Sequence, residues 1–295
     1  MSAFLSFRVA IQDDQENDLI VIDNSKQMIP VYLQLTRSAS FQGSVNEFSV
    51  WGLPDPYILD KIGVRIARKN RIRIDAGYNG NNFLLCKGQL GVSKNDFSIE
   101  RTGFTVKFLE FGDGLDFGNT LNKKIITENY KNISVKEAFK KVTNNNVSFQ
   151  TTKNLDKIDN FGAGNFIDWI DNTCKKYDLQ YYFFNSKLII YSRKDNTSKT
   201  LDLQNPFQLK SNAILESTDP YLILENEVGD KPARIWSCNT IFNPFIKPAW
   251  RVKTMTKEGK EIEGIIGTVI YTIDISPLEN KFSGMNTLKI FEEVN

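Results

Sequence analysis

The sequence predicts a mainly β chain with an α+β insert, in which two similar small β-barrels flank a middle α/β domain. Three observations predict it. Apolar and polar residues alternate through much of residues 1–124 and 200–295, the period-two pattern of strands with one buried and one wet face. Between these regions, residues 125–199 carry two amphipathic segments with helix-capping residues in front of them. The two β-rich regions also share an order of parts, as an internal duplication would leave them.

Taken in order, "FRVAIQ", "LIVID", "IPVYLQLT" and "VNEFSVWGL" are successive strands separated by acidic, Ser/Asn or Gly-containing turns. Pro54 and Asp55 open "DPYILDKIGVRIARK", which fits a short helix or another extended piece; the short helix, running into the strand at Arg71, is preferred. There Arg71, Arg73 and Asp75 alternate with Ile72, Ile74 and Ala76. Asn79-Gly80 supplies the positive-φ positions of a tight reversal, while the run on to Asn82 leaves the turn type open. The return strand Phe83 to Leu90 is interrupted by Gly88, and "FSIE" and "TVKFLEF" add further strands.

The texture changes at Ile125. Ser134 and Glu137 form a capping box, and Val135, Ala138, Phe139 and Val142 follow at helical spacing. A second helix begins at Asn165, with Phe166, Ile167, Ile170, Cys174 and Tyr177 on one stripe, Asp168 in its first turn and Lys175 and Lys176 in its last. "LQYYFFNSKLIIYSR" is a hairpin around Asn185-Ser186, and the polar run "RKDNTSKT" marks a boundary. Strands then return as "YLILENEV", "ARIWSCNTIF", "AWRVKTMT", "IIGTVIYTIDI" and "NTLKIFEEV". "NEFSVWGLPDPYI", "RIRIDAGY", "LLCKGQLG" and "TVKFLEF" are echoed in order by "ARIWSCNTIFNPFI", "WRVKTMT", "IIGTVIYTID" and "NTLKIFEE".

Composition removes several classes of function. The 295 residues include 37 basic and 35 acidic side chains, a net charge of +2, so the overall field favours neither nucleic acid nor an anionic membrane. With no histidine, His-based triads, general bases and metal ligands are excluded. Cys86, Cys174 and Cys238 are odd in number and far apart, which suggests neither a disulfide framework nor a zinc site. The N-terminus lacks the pattern of a secretory signal, and no stretch reaches the length of a membrane span. A soluble chain, assembled in a reducing compartment, is expected.

Five local patterns invite sharper readings. "GDGLDFG" matches part of a calcium-binding nonapeptide through Asp113 and Asp116, but it occurs once where that architecture needs tandem copies, so an ordinary turn is preferred. "FGAGNF" has Gly162 and Gly164 but lacks the third glycine and the βαβ setting of a phosphate loop; it reads as a flexible approach to the helix at Asn165. Asp168 and Asp171 lie three apart on one helix, as a carboxylate pair for glycoside hydrolysis would, or as a dipole partner and a solvated face. Cys174 falls on the apolar stripe and reads as a packed thiol. Tyr181 to Phe184 offers a stacking surface for sugars or bases, yet in a hairpin half of it must point inward, so core and subunit interface is the reading taken. The sequons at Asn132 and Asn196 carry no weight without a secretory signal.

One resemblance draws these parts together. "VYLQLTRSASFQGSVNEFSVWGL" with "NRIRIDAGYNGNNFLLCKGQL", then "FGDGLDFGNT", "YKNISVKEAFKKV", "GNFIDWIDNTCKKYDLQYYFFNSKLIIYS" and "TIFNPFIKPAWRVKTMT" resemble, in that order, the baseplate hub proteins of contractile-tailed bacteriophages. The chain departs from the family's pattern at Ala249-Trp250, where glycine is usual, and lacks a histidine often present near the C-terminal strands. The resemblance implies a tail-tube-like barrel at 1–124, a mixed α/β domain at 125–199 and a second tube-like barrel at 200–295. It also implies a homotrimer whose six barrels match a hexameric tail-tube ring on one side and seat a trimeric central spike on the other. The tape measure protein is a further expected partner, and DNA passes the channel without specific binding. The expected place is the tail baseplate of a virion assembled in the host cytoplasm. No enzymatic activity, cofactor or metal is expected, and Trp51, Tyr78, Tyr182, Phe184, Phe245 and Trp250 are the candidate interface residues. The alternatives are a tail-associated peptidoglycan or glycan hydrolase working through carboxylates, and a glycan-binding β-sandwich for host attachment.

Overall fold

The alternating runs assemble into one large sheet, antiparallel except where β15 joins it. The computed structural model describes residues 5–24, 29–38, 46–52, 70–98, 101–110, 125–184, 187–192, 200–203, 220–228, 231–276 and 281–292. The expected short helix at 55–69, the "GDGLDFG" turn, the hairpin tip Asn185-Ser186, Asn196 and most of the polar run at 193–200 lie outside the described residues.

The first β region supplies β1 (Leu5–Gln12), β2 (Asp18–Asp23), β3 (Val31–Ser38), β4 (Asn46–Trp51), β5 (Arg71–Tyr78), β6 (Asn81–Ser98) and β7 (Arg101–Glu110). The middle segment contains β8 (Ile125–Ile126), β9 (Tyr130–Ser134), α1 (Val135–Val142), β10 (Val147–Gln150), β11 (Ile158–Phe161), β12 (Gly164–Asn165), α2 (Phe166–Lys176), β13 (Gln180–Phe184) and β14 (Lys187–Tyr191). The last region adds β15 (Thr200–Asp202), β16 (Tyr221–Val228), β17 (Lys231–Ile241), β18 (Arg251–Met255), β19 (Glu261–Ser276) and β20 (Lys281–Glu292). The chain is mainly β with an α/β insert, as its patterning predicts.

The first and last regions share a 13-stranded sheet in the order β16-β17-β20-β19-β3-β4-β7-β6-β5-β1-β2, with β18 on β19 and β15 on β18. Their echo in sequence is an echo in topology. One unit runs β5-β6-β7-β4-β3 and the other β18-β19-β20-β17-β16. The register agrees at residue level. The row Leu90–Phe108–Asn46 crosses the first unit and Ile266–Ile290–Trp236 crosses the second. Each row is anchored the same way: Leu90 N donates to Asn70 O at 2.9 Å, and Ile266 N donates to Trp250 O at 2.9 Å. Immediately afterwards each long strand carries one bulged glycine, Gly91 between Leu90 and Val92, and Gly267 between Ile266 and Thr268. The units differ in what flanks them, since β1 runs antiparallel to β5 while β15 runs parallel to β18.

Gly267 also needs its missing side chain. A Cβ there would lie 1.6 Å from Cε2 of the Phe291 ring. On the far side of this bulge β19 changes partner along one edge: residues 261–265 pair with β18, and residues 268–275 pair with β3. A bulge turns and twists a strand, which is what lets one 16-residue strand serve both units. At the opening hairpin, Asn79 and Gly80 take φ of +54° and +81°, the pair of positive values that a type I′ turn requires. Gly88 does not end the return strand, which continues to Ser98 because β7 takes over as its partner.

The middle segment has its own core. Both helices start where the capping residues place them: Ser134 Oγ accepts from Glu137 N at 3.1 Å, and Asn165 Oδ1 from Ile167 N at 2.9 Å. Val135, Ala138, Phe139 and Val142 of α1 meet Phe166, Ile167, Trp169, Ile170 and Cys174 of α2 in one apolar cluster. Trp169 and Thr173 widen the buried stripe of α2 beyond the expected residues. The cluster rests on Tyr181, Phe183, Leu188 and Ile190 of a three-stranded sheet, β10-β14-β13. The glycine-containing approach to α2 is an extended ladder, with Gly164 and Asn165 paired to Ile126 and Ile125; neither Gly162 nor Gly164 has a positive φ.

Candidate functional site

The seam between the two repeated units brings all three chain regions together. β3 and β19 pair antiparallel from Ser38↔Thr268 to Val31↔Ile275. Strand alternation sends Leu33, Leu35 and Arg37 of β3 to the buried face. Leu33 and Leu35 join the core there, but Arg37 carries a charge into it at 3 % exposure. Its guanidinium grips Glu110 at the end of β7, with Nε–Oε2 at 2.7 Å and Nη2–Oε1 at 2.5 Å, and also donates to the backbone carbonyl of Leu85 on β6. Two rings cover the group, Tyr271 of β19 at 5.0 Å and Phe184 of β13 at 4.2 Å. Burial opposes the charge most strongly, but Glu110, together with Tyr271 and Cys86, holds the guanidinium above the ordinary arginine value. The Tyr271 hydroxyl donates to the carbonyl of Ile246, which fixes the ring beside the pair.

Sequence reading missed Arg37 and Glu110. The available signal was an arginine in phase with Leu33 and Leu35 in "VYLQLTR"; an alternating strand that places a charge on its apolar face requires a partner for it.

Four of the six expected interface residues, Tyr78, Tyr182, Phe184 and Phe245, lie at the chain's own internal seams. Tyr182 and Phe184 point away from the α/β core, toward the large sheet. Tyr182 packs with Ile189, Tyr191 and Ala249, and Lys247 Nζ lies 4.1 Å from the centre of the Phe184 ring. Burial, and then the Arg37 charge, lower Lys247 from the ordinary lysine value. Tyr78 donates its hydroxyl to the carbonyl of Phe242 at 3.0 Å, joining β5 to the second unit, and burial raises it to about 12. Phe245 meets Phe83 edge to face at 4.6 Å, again across the units. Trp51 is half-buried at the end of β4, and its backbone N–H donates to the carbonyl of Pro30. Trp250 is half-buried against the main core.

Of the other singled-out residues, Asp171 has a structural partner. The Tyr181 hydroxyl donates to Asp171 Oδ1 at 2.8 Å, so one member of the Asp168/Asp171 pair is held by the neighbouring strand. Tyr181 and Phe183 face the α/β core while Tyr182 faces the sheet, the split that a hairpin imposes on "YYFF". Among the described residues, no group of three or more His, Cys, Asp and Glu side chains gathers as metal ligands would, and no helix is long and apolar enough to cross a membrane.

No protein-family model matches the chain, and no curated protein matches it. Solved structures do. The tail protein from Neisseria meningitidis MC58 superposes with a TM-score of 0.58 at 11% identity, over 97% of this chain and 97% of that one. The 43 kDa tail protein of prophage MuSo2 from Shewanella oneidensis gives 0.58 at 8% identity, over 98% of both chains. This chain has the fold of phage tail proteins. A chain of the Francisella PdpA-VgrG complex shares that tail-protein fold, with a TM-score of 0.57 at 11% identity over 98% of this chain and 58% of that one.

The tail-protein fold buries all three cysteines: Cys86, Cys174 and Cys238 are at most 3 % exposed. Burial pushes Cys174 and Cys238 from the ordinary 9.0 up to about 12, and raises Cys86 well above it. At pH 8 the folded protein is expected to leave all three unreactive toward an aromatic disulfide reagent, with three equivalents appearing on denaturation. Rapid reaction of any one in the native protein contradicts this. The same thiols predict alkaline lability. The unfolded chain releases their protons from about pH 9, the folded chain those of Cys174 and Cys238 only near 12, so the stability they contribute is full below 9 and declines as pH rises through that window.

Proposed function

We propose that this chain is a structural hub of a contractile phage tail baseplate, in which three copies form a ring of pseudo-sixfold symmetry. The ring joins the hexameric tail tube to the trimeric central spike, with the tape measure protein as a further partner, and lines the path of the ejected DNA without binding it specifically. The observation that carries this reading is the duplicated unit: β5-β6-β7-β4-β3 and β18-β19-β20-β17-β16 share strand order, register and bulge. Two like units per chain turn a threefold assembly into six like positions, and the tail-protein fold supports placing them in a virion tail. The proposed domains are 1–124 and 200–295 as tube-like units and 125–199 as the module packed against their seam, with assembly in the host cytoplasm. The role is mechanical, not enzymatic.

Light scattering across a concentration series, with class averages of negatively stained particles, tests this. A mass of three chains and a ring with six similar lobes are the expected result. A different closed stoichiometry, or particles without a central channel, overturns it.

A further inference from the structure

We infer that the middle module carries a binding cleft for a neutral saccharide, along α2. The inference does not depend on the ring reading; it adds a ligand to a chain otherwise read as mechanical.

A cleft of about 290 Å³ lies between α2 and the turn that joins β11 to β12. That is close to the lower end of small-ligand sites, roughly 300–1,000 Å³, and suits the end of a short oligosaccharide. One wall is a stripe of α2, with Asp168, Trp169, Asn172 and Thr173 at helical spacing. The other is largely backbone, from Gly162 to Gly164.

The glycines point to a ligand first. Neither has a positive φ. A Cβ at Gly164 would meet nothing within 4 Å, and one at Gly162 would meet only the Asn129 side-chain oxygen, at 3.8 Å. Backbone conformation and packing therefore leave both positions open to larger residues, and glycine weakens an extended segment by its entropy. What the two residues share is the cleft, where a missing side chain keeps the wall open and lets a ligand approach the main chain.

Trp169 is the second indication. Its ring is 7% exposed and tilts against Phe161 at 5.6 Å, and both residues line the cleft. The indole N–H is buried and has no hydrogen-bond partner among the described residues. Native structures leave few buried donors unpaired; we assign a ligand hydroxyl as the acceptor that this one lacks.

The remaining groups select the ligand's chemistry. The Asp168 carboxylate and the Asn172 amide are one turn apart on α2, and neither side-chain group has a hydrogen-bond partner among the described residues. Asn160 accepts from Asn132 N at 3.0 Å through its amide oxygen, which leaves its amide N–H groups to donate. Amides both donate and accept while a carboxylate accepts only, a set that complements hydroxyls, each of which does both. An anion is not complemented. The first free N–H groups of α2 are already taken by Asn165 Oδ1, Asp168 repels negative charge, and Lys176 is paired with Asp159 at 2.5 Å. The site binds without cleaving, because glycoside hydrolysis uses two carboxylates and, among the described residues, Asp168 alone brings one to the cleft.

Saturation-transfer NMR and calorimetry on the whole chain test this, with cellotriose, maltotriose, chitotriose, inorganic phosphate and tetra-alanine as separate probes at millimolar concentration. Binding of at least one of the three sugars is expected. Gly164→Val, which adds bulk to the cleft without meeting the protein, and Asn172→Ala, on the exposed side of the helix, are each expected to weaken it about tenfold or more while the far-ultraviolet spectrum stays unchanged. Trp169→Phe keeps a ring and removes the N–H, and it is expected to weaken binding too; undiminished affinity overturns the donor assignment. Failure of all three sugars overturns the saccharide reading, and sugar binding that survives both Gly164→Val and Asn172→Ala overturns the site. Phosphate or tetra-alanine binding that these variants abolish, with no sugar bound, overturns the saccharide in favour of an anion or a main-chain groove. A ring of three chains that binds no sugar overturns this inference and leaves the hub reading standing.

Discussion

Replacing Arg37 with methionine is expected to destabilise the folded chain by about 3–5 kcal/mol, the cost of leaving one member of a buried ion pair alone. Glu110, 8 % exposed, would keep its carboxylate in the core with its guanidinium partner gone. The loss is not confined to one contact. Arg37 is the point where β3, the end of β7, the Leu85 carbonyl, Tyr271 and Phe184 converge, so the seam and the docking of the middle module should weaken together. The double variant Arg37→Met with Glu110→Leu is expected to recover most of the stability, because an apolar pair of similar size avoids the desolvation of two charges. Urea titrations of the three proteins measure both effects. A single variant within about 1 kcal/mol of the parent would mean that water reaches the pair in solution.

Phe139→Ala is expected to cost about 3–5 kcal/mol within the middle module. The ring is fully buried and sits edge to face against Trp169 at 5.3 Å and Phe149 at 6.2 Å, contacts worth something beyond their area. Because the module's apolar cluster is separate from that of the large sheet, the loss should stay local. Hydrogen exchange is expected to show residues 135–191 losing protection while β19 and β20 keep theirs. Uniform loss across both would instead mean that the module and the sheet unfold as one.

Much of this architecture is legible in the chain because local signals there agree with tertiary ones. Ser134 and Asn165 cap the helices they precede, and the alternation in "VYLQLT" is the burial pattern of β3. The echo of parts between the two β regions proved to be an echo of strand order and register. What stayed hidden depends on partners distant in sequence. Gly88 looks like a strand end, yet β6 runs on because β7 lies beside it. Arg37 looks like a solvated arginine until Glu110, 73 residues away, is seen against it. Tyr182 and Phe184 read as candidates for an interface between subunits, because nothing local reveals that the large sheet waits on their far side. Trp169 escaped the helical stripe through a narrow choice of positions; the buried arc of α2 is wider than one row.

The seam also imposes an order in time. Ser38 and Thr268 meet across it, 230 residues apart in the chain. At a synthesis rate of about 5–20 residues per second, roughly 10–50 s separate their emergence from the ribosome. Throughout that interval a nascent chain displays the edge of β3 with its own β19 not yet made. The finished β19 of a chain on the next ribosome offers the same register, so correct closure is a race between a tethered strand that arrives late and a neighbour's that is already there. Intramolecular closure is the expected outcome when messenger loading is sparse, and exchanged strands are expected to rise with polysome density.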